Sequence, residues 1–233
     1  MKSIFIEDTS RYSLQEKRDE NSYYVINISG ANLYKKPSLD SEIIENIKVG
    51  EKIVANRILK TEQPIHIGVE FQLQGGFIEV KNQVYSGFIH SSDLTRFKPQ
   101  LEEILDGIII PDFKGKVKSK TSEKKIETFN NKEYEVEVEI TTYENVIHTY
   151  TDLNECLENT YLYKDMTLNE VYHQLPVHNP NIDITSKGSV ILMPEFIEKK
   201  RSKYFFSGIG ITRYTTIVEN LDGQYLISSL DCP

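Results

Sequence analysis

The most regular stretch of the chain lies between residues 132 and 143, where Tyr134, Val136, Val138 and Ile140 alternate with Glu133, Glu135, Glu137 and Glu139 after an Asn130-Asn131 turn. A period of two predicts an amphipathic strand with one face in a core. Its other face carries four carboxylates, spaced about 7 Å apart by the rise of a strand. The same alternation recurs as Ile65, Ile67, Val69, Phe71 and Leu73 against His66, Gly68, Glu70 and Gln72, which predicts a half-buried strand inside an added hairpin. Further strands are expected over Tyr23–Ile28, Lys52–Ile58, Phe77–Val80 and Gly87–Leu94, each closed by turn-forming residues.

Helical signals are few. Leu101–Asp106 reads as a helical turn, and Gly107-Ile-Ile-Ile as a short buried strand halted by Pro111. Thr167-Leu-Asn-Glu170 has the form of a capping box and opens a helix over Leu168–Leu175, with Pro176 as its stop. The last third returns to β: Val190–Met193, then Tyr204–Thr212 running on to Val218, with Gly208 and Gly210 suggesting a bulge or close backbone approach. Asn220-Leu-Asp-Gly223 is a hairpin turn signal, and Gln224–Leu230 the returning strand. Residues 1–22 form a polar leader, and Arg96-Phe-Lys-Pro-Gln100 reads as a linker with a boundary near residue 99. At 233 residues the expectation is two units, 23–97 and 101–233. The fold class is mainly β or α+β, a small β-barrel followed by an α+β domain with an antiparallel sheet and one or two short helices.

Residues 23–97 carry a sequence of features in a particular order. Asn32-Leu33 precedes Pro37, then come Ile43, Ile44 and Ile47, the Lys48-Val-Gly50 turn, a strand led by Phe77, and Gly87-Phe-Ile-His-Ser-Ser-Asp-Leu94. This stretch resembles the bacterial Src-homology-3-like (SH3b) domain, where Asn-Leu-x-x-x-Pro, a Val-Ile pair, a Lys-x-Gly turn, an aromatic-led strand and Gly-Tyr-Val-x-x-x-x-Leu follow one another. The resemblance implies a barrel of five or six strands that docks peptide, protein or cell-wall material, including peptidoglycan-derived ligands, in a cell-envelope setting. The family's leading aromatic is Trp; this chain has no Trp and places Phe77 there. Residues implied for a binding face are Tyr34, Phe77, Glu79, Tyr85 and Phe88, with core filling as the competing role for Phe77 and Phe88. The loop from Lys60 to Gly76 is long for the family and is expected to shape or obstruct that face. No family is recognised for 101–233.

Composition narrows the partners. A net charge of -8, from 35 acidic and 27 basic residues, disfavours nucleic acid and anionic membrane, and no apolar run reaches the length of a membrane span. The six lysines between Lys114 and Lys125 are expected on a solvated loop or edge strand. Met1–Asp8 is not a signal peptide, so the chain is either cytoplasmic or exported with its signal removed, which would place it in the envelope or periplasm. Cys156 and Cys232, the two cysteines, are open to three roles: a structural disulfide, inert thiols, or a catalytic thiol. His148, His173, His178 and Cys156 match no metal-ligand spacing, Ser186–Ser189 reads as a turn, and no metal or cofactor is expected. The leading function is a non-catalytic binding protein. An immunity or inhibitor protein that blocks a basic toxin or hydrolase is an alternative, as is an enzyme with an unrecognised site in the second half.

Overall fold

The computed structural model describes residues 21–81, 84–105, 107–129, 132–153, 156–185 and 188–232. Most of the leader, the turns at 82–83 and 130–131, and part of the 186–189 turn lie outside them. The first hundred residues hold β1 (Ser22–Val25), β2 (Ala31–Tyr34), β3 (Ile43–Ile47), β4 (Lys52–Glu62), β5 (Ile65–His66), β6 (Gln72–Leu73), β7 (Gly76–Lys81), β8 (Ser86–His90) and β9 (Leu94–Thr95). Seven of these strands form an antiparallel sheet in the order β3-β2-β8-β7-β4-β1-β9. The long β4 makes the sheet bend, because Lys52–Val54 pair with β1 whereas Ala55–Glu62 pair with β7 across two register shifts. The end strands β3 and β9 are not paired to each other, so the sheet is open where a closed one of five or six strands is expected. Val25, Leu33, Ile47, Ile53, Ile78, Val80 and Ile89 fill its inner side.

The chain continues through β10 (Gln100–Leu105), β11 (Ile108–Asp112), β12 (Val117–Phe129), β13 (Lys132–Tyr143), β14 (Val146–Asp152) and β15 (Leu157–Tyr163). Two short helices follow, α1 (Leu168–Tyr172) and α2 (Leu175–His178), then β16 (Asn181–Thr185), β17 (Gly188–Leu192), β18 (Phe196–Lys200), β19 (Lys203–Ser207), β20 (Thr212–Glu219) and β21 (Tyr225–Asp231). An eight-stranded antiparallel sheet runs β12-β13-β14-β15-β21-β20-β19-β18, while β10-β11 and β16-β17 stay separate two-stranded ladders. The fold is thus mainly β with little helix, as the patterning implies.

The largest core draws on both halves of the chain. Tyr163, Phe206, Ile217 and Ile227 of the large sheet meet Val171, Tyr172 and Leu175 of the helical pair, and Ile26, Phe71 and Leu73 enter the same cluster. Phe71, 1% exposed, sits among the rings of Tyr172, Phe196, Tyr204 and Phe206 at centroid distances of 5.2–5.6 Å. Gly68 lies against Phe196 so closely that a Cβ would stand 2.2 Å from that ring. Helix α1 brackets the first sheet from the other side. Asn169 exchanges hydrogen bonds with the backbone of Gln74, Glu170 accepts from Thr95, and His173 Nε2 donates to the Ser92 carbonyl. The capping box that sets α1 is present, with Thr167 and Glu170 bonded reciprocally, so one carboxylate caps the helix and docks the sheet together.

Several local expectations change under tertiary pairing. Leu101–Asp106 is not a helical turn: Gln100–Leu105 is strand β10, paired along β11 up to Asp112, and Pro111 lies within that ladder. The alternation from Ile65 to Leu73 is a small hairpin in place of a continuous strand, because Ile67 N and Gly68 N both donate to Phe71 O and reverse the chain. Val69 is consequently fully exposed at the tip. Gly208 and Gly210 sit between two paired strands and serve as their connection, not as a bulge. In β13 the division of faces follows the pattern: Val136 and Val138 are buried and Glu133, Glu135, Glu137 and Glu139 are exposed. The lysine-rich β12 is an edge strand. Cys156 and Cys232 form a disulfide that packs with Leu153 against Val136 and Val138, on the side of the sheet away from the helices.

Removing the Phe71 ring opens a cavity in a dense aromatic cluster, so Phe71→Ala is expected to lower stability by about 3–5 kcal/mol. Val69→Ala, at the exposed tip of the same hairpin, should change it by less than about 0.5 kcal/mol. Urea unfolding of both variants checks this; equal effects would show that the hairpin is not a core element.

Candidate functional site

The row of residues across the outer face of the first sheet contains most of the positions implied for binding. Tyr34 pairs with Phe88, Phe88 with Glu79, and Glu79 with Arg57, so these side chains stand side by side on one face. Glu79 is engaged there, with Arg57 Nε at 3.1 Å and Asn56 donating at 3.3 Å. Phe77 is on the same face but 1% exposed, edge-on to Tyr34 and His90. The 62–76 segment closes over it. His90 Nε2 donates to the Gln63 carbonyl at 2.7 Å, Gly76 N donates to Ser91 Oγ, and Gln63 Nε2 reaches the Pro37 carbonyl. Tyr85 is apart from the row, packed on the inner cluster with its hydroxyl donating to Glu51 at 2.5 Å. That bond, more than burial, pushes the phenol up to about 12.

The histidines and the cysteines do not converge. Cys156 is bridged to Cys232, and His173 is buried at the seam with the first sheet. His148 and His178 instead sandwich the Tyr161 ring, with centroid distances of 4.3 and 3.6 Å. His178 Nε2 meets the Tyr163 hydroxyl at 2.5 Å, and His148 Nε2 meets Asn159 Oδ1 at 3.0 Å. Burial dominates both titrations, lowering His178 well below the ordinary imidazole value and raising Tyr163 well above the ordinary phenol. Nearby, Lys114 pairs with the buried Asp112 at 3.2 Å. The three rings stack on one another as a pillar that includes His178 of α2. Among the described residues, no group of three or more His, Cys, Asp or Glu is placed to hold a metal ion.

A cleft of about 570 Å³ lies elsewhere, between the first sheet and the β10-β11 and β16-β17 hairpins. One wall is the turn Ile28-Ser29-Gly30 with Asn46, Lys48 and Val49; the facing walls are Gly107–Ile109 and Ser189–Ile191. Gly30, at φ 80°, lets the first wall lie flat, since a Cβ there would stand 2.1 Å from Asn46 Oδ1. Behind the cleft, Ile108, Ile110 and Ile191 form a small buried cluster. At its lip Ile109 and Val190 remain 40% and 49% exposed. Strands β11 and β17 each pair on one side only, and at β11 the Pro111 carbonyl accepts from Gln174 Nε2. None of the five residues implied for binding lines this cleft. One signal was available: three consecutive isoleucines in a strand cannot all face one core, so the run 108–110 had to leave one outside.

Searches of known family models, of curated proteins and of solved structures find no match for this chain. No helix among the described residues is long and apolar enough to cross a membrane.

The seam between α1 and the first sheet holds two ionisable groups displaced in opposite directions. Asp93, bonded to Asn27, is raised to about 6 by burial, and His173, 3.8 Å away, is lowered to about 4 by burial. For a raised carboxyl the folded state holds its proton more tightly, so that contribution to stability is present in acid and is lost as pH rises from about 4 to 6. For a lowered imidazole the contribution is present above about pH 6.5 and is lost as pH falls toward 4. The two oppose each other, and the wild-type profile should be nearly flat between pH 4 and 6. Asp93→Asn should give stability that rises across this window by about 2–3 kcal/mol, and His173→Gln stability that falls, by less because Asp93 retains some solvent contact. Urea midpoints at several pH values read the slopes; parallel profiles in all three proteins would refute the account.

Proposed function

We propose that this protein is a non-catalytic binding protein that docks an extended, apolar peptide segment in the cleft between its first sheet and the two isolated hairpins. The observation that carries this reading is the cleft itself. Its volume of about 570 Å³ falls within the range of about 300–1,000 Å³ usual for ligand sites, and its walls combine isoleucine and valine side chains with a few hydroxyl and amide groups. The free edges of β11 and β17 beside it offer backbone donors and acceptors, which is how an added strand is recognised. The resemblance of residues 23–97 to SH3b modules supports the same class of role and suggests a cell-envelope peptide, including one derived from peptidoglycan. The face implied by that resemblance is the weaker candidate, because Phe77 is covered and Glu79 is paired.

The test is an array of random octapeptides tethered through their amino ends and probed with the full chain. Peptides rich in Val, Ile and Leu should be retained, and Val190→Asp or Ile109→Asp should weaken retention at least about tenfold, while Phe88→Ala should leave it unchanged. Retention lost through Phe88→Ala and kept in the cleft variants would sink the reading, as would no retention at all.

A second reading, an inhibitor of a basic protein, is favoured by one observation: Glu133, Glu135, Glu137 and Glu139 stand exposed in a row, of which Glu135 pairs with Lys124 and Glu137 accepts from Ser122. Such a complex should weaken steeply with salt and with paired Glu137→Gln and Glu139→Gln changes. Affinity indifferent to both would remove it.

A further inference from the structure

The cleft walls differ sharply in charge from the molecule that contains them. The chain carries a net charge of -8, yet Lys48 is the one ionisable side chain among the described residues that line the cleft. It sits in the turn between β3 and β4, exposed, and among the described residues its ammonium has no carboxylate within ion-pair distance. Two acids near this region along the chain accept hydrogen bonds from other groups. Glu51 accepts the Tyr85 hydroxyl at 2.5 Å, and Glu103 accepts Gly107 N at 2.8 Å. Besides Lys48 the cleft is lined by Ser29, Ser189 and Asn46 and by Ile108, Ile109, Val190 and Ile191. A ligand matching this arrangement has an apolar body and an anionic end.

Building on the proposed peptide-docking role, we propose that the cleft reads the free carboxyl terminus of an extended apolar peptide, with Lys48 as the carboxylate partner. A peptide is favoured over a fatty acid because β11 and β17, whose residues line the cleft, each pair on one side only, and a peptide backbone can hydrogen-bond to such a strand where a hydrocarbon chain cannot. A carboxylate meeting an unpaired ammonium at the rim of an apolar cleft gains a charge-assisted hydrogen bond, and one such contact changes affinity by about tenfold. Lys48 takes part in no core cluster, so its replacement leaves the fold intact.

The experiment uses the best octapeptide from the array, resynthesised as the free acid and as the carboxyl-terminal amide, and titrated into the full chain by calorimetry. The free acid should bind about tenfold more tightly at low salt, and this preference should shrink at high salt and vanish in Lys48→Gln. Lys48→Arg should retain it. Equal affinity of acid and amide would overturn the assignment to Lys48 while the peptide-docking reading stands; binding of neither would overturn that reading as well. Octanoate is the competitor: displacement of the peptide by octanoate at equal concentration would overturn the choice of a peptide, and failure to displace supports it.

Discussion

Phe71, with Ile26 and Leu73 beside it, carries the first hundred residues into a core otherwise built by the later part of the chain. Phe71 reaches its place because the thirteen residues between β4 and β7 leave the sheet, turn at Val69 and return, and the ring is then surrounded by four others. The arrangement is held from outside by α1, a helix too short to be stable alone; Asn169, Glu170 and the capping His173 bond to Gln74, Thr95 and Ser92, in β9 and the connections of the first sheet. Burial of the ring supplies the affinity between the halves, and these polar contacts fix the register. The buried polar groups there are mostly satisfied; among the described residues, His173 Nδ1 and Gln174 Oε1 have no hydrogen-bond partner.

Much of this architecture was written in local pattern. The two faces of β13, the capping box of α1 and the turn at Asn220–Gly223 each follow from a physical rule that operates within a few residues, and each is found where the residues place it. What local pattern did not reveal is what depends on partners far along the chain. Gln100–Leu105 has a helix-compatible composition, and becomes a strand only because β11 lies beside it. The hairpin of β5 and β6 has the period of a strand, but the bonds from Ile67 and Gly68 to Phe71 fold it back on itself.

The same distinction separates the two surfaces considered for binding. The outer row of Tyr34, Phe88 and Glu79 could be anticipated from alternation along single strands, since cross-strand neighbours share a face. The cleft could not, because its walls come from four separate stretches of chain and no spacing within any of them marks it. Its existence follows from an omission in the sheet network: β10-β11 and β16-β17 are not spliced into either large sheet, and the space between them and the Ile28–Gly30 turn stays open. The loop over Phe77 acts in the other direction, turning a face that resembles a docking surface into an internal contact.

The position of Phe71 also bears on how the molecule can be taken apart. Cutting at the proline-containing segment near residue 99 separates the two large sheets along the backbone, yet it removes Phe71, Leu73 and Ile26 from the cluster they complete. An isolated carboxyl-terminal fragment would begin life with an apolar hole at its centre, and an isolated amino-terminal one with a greasy finger in water.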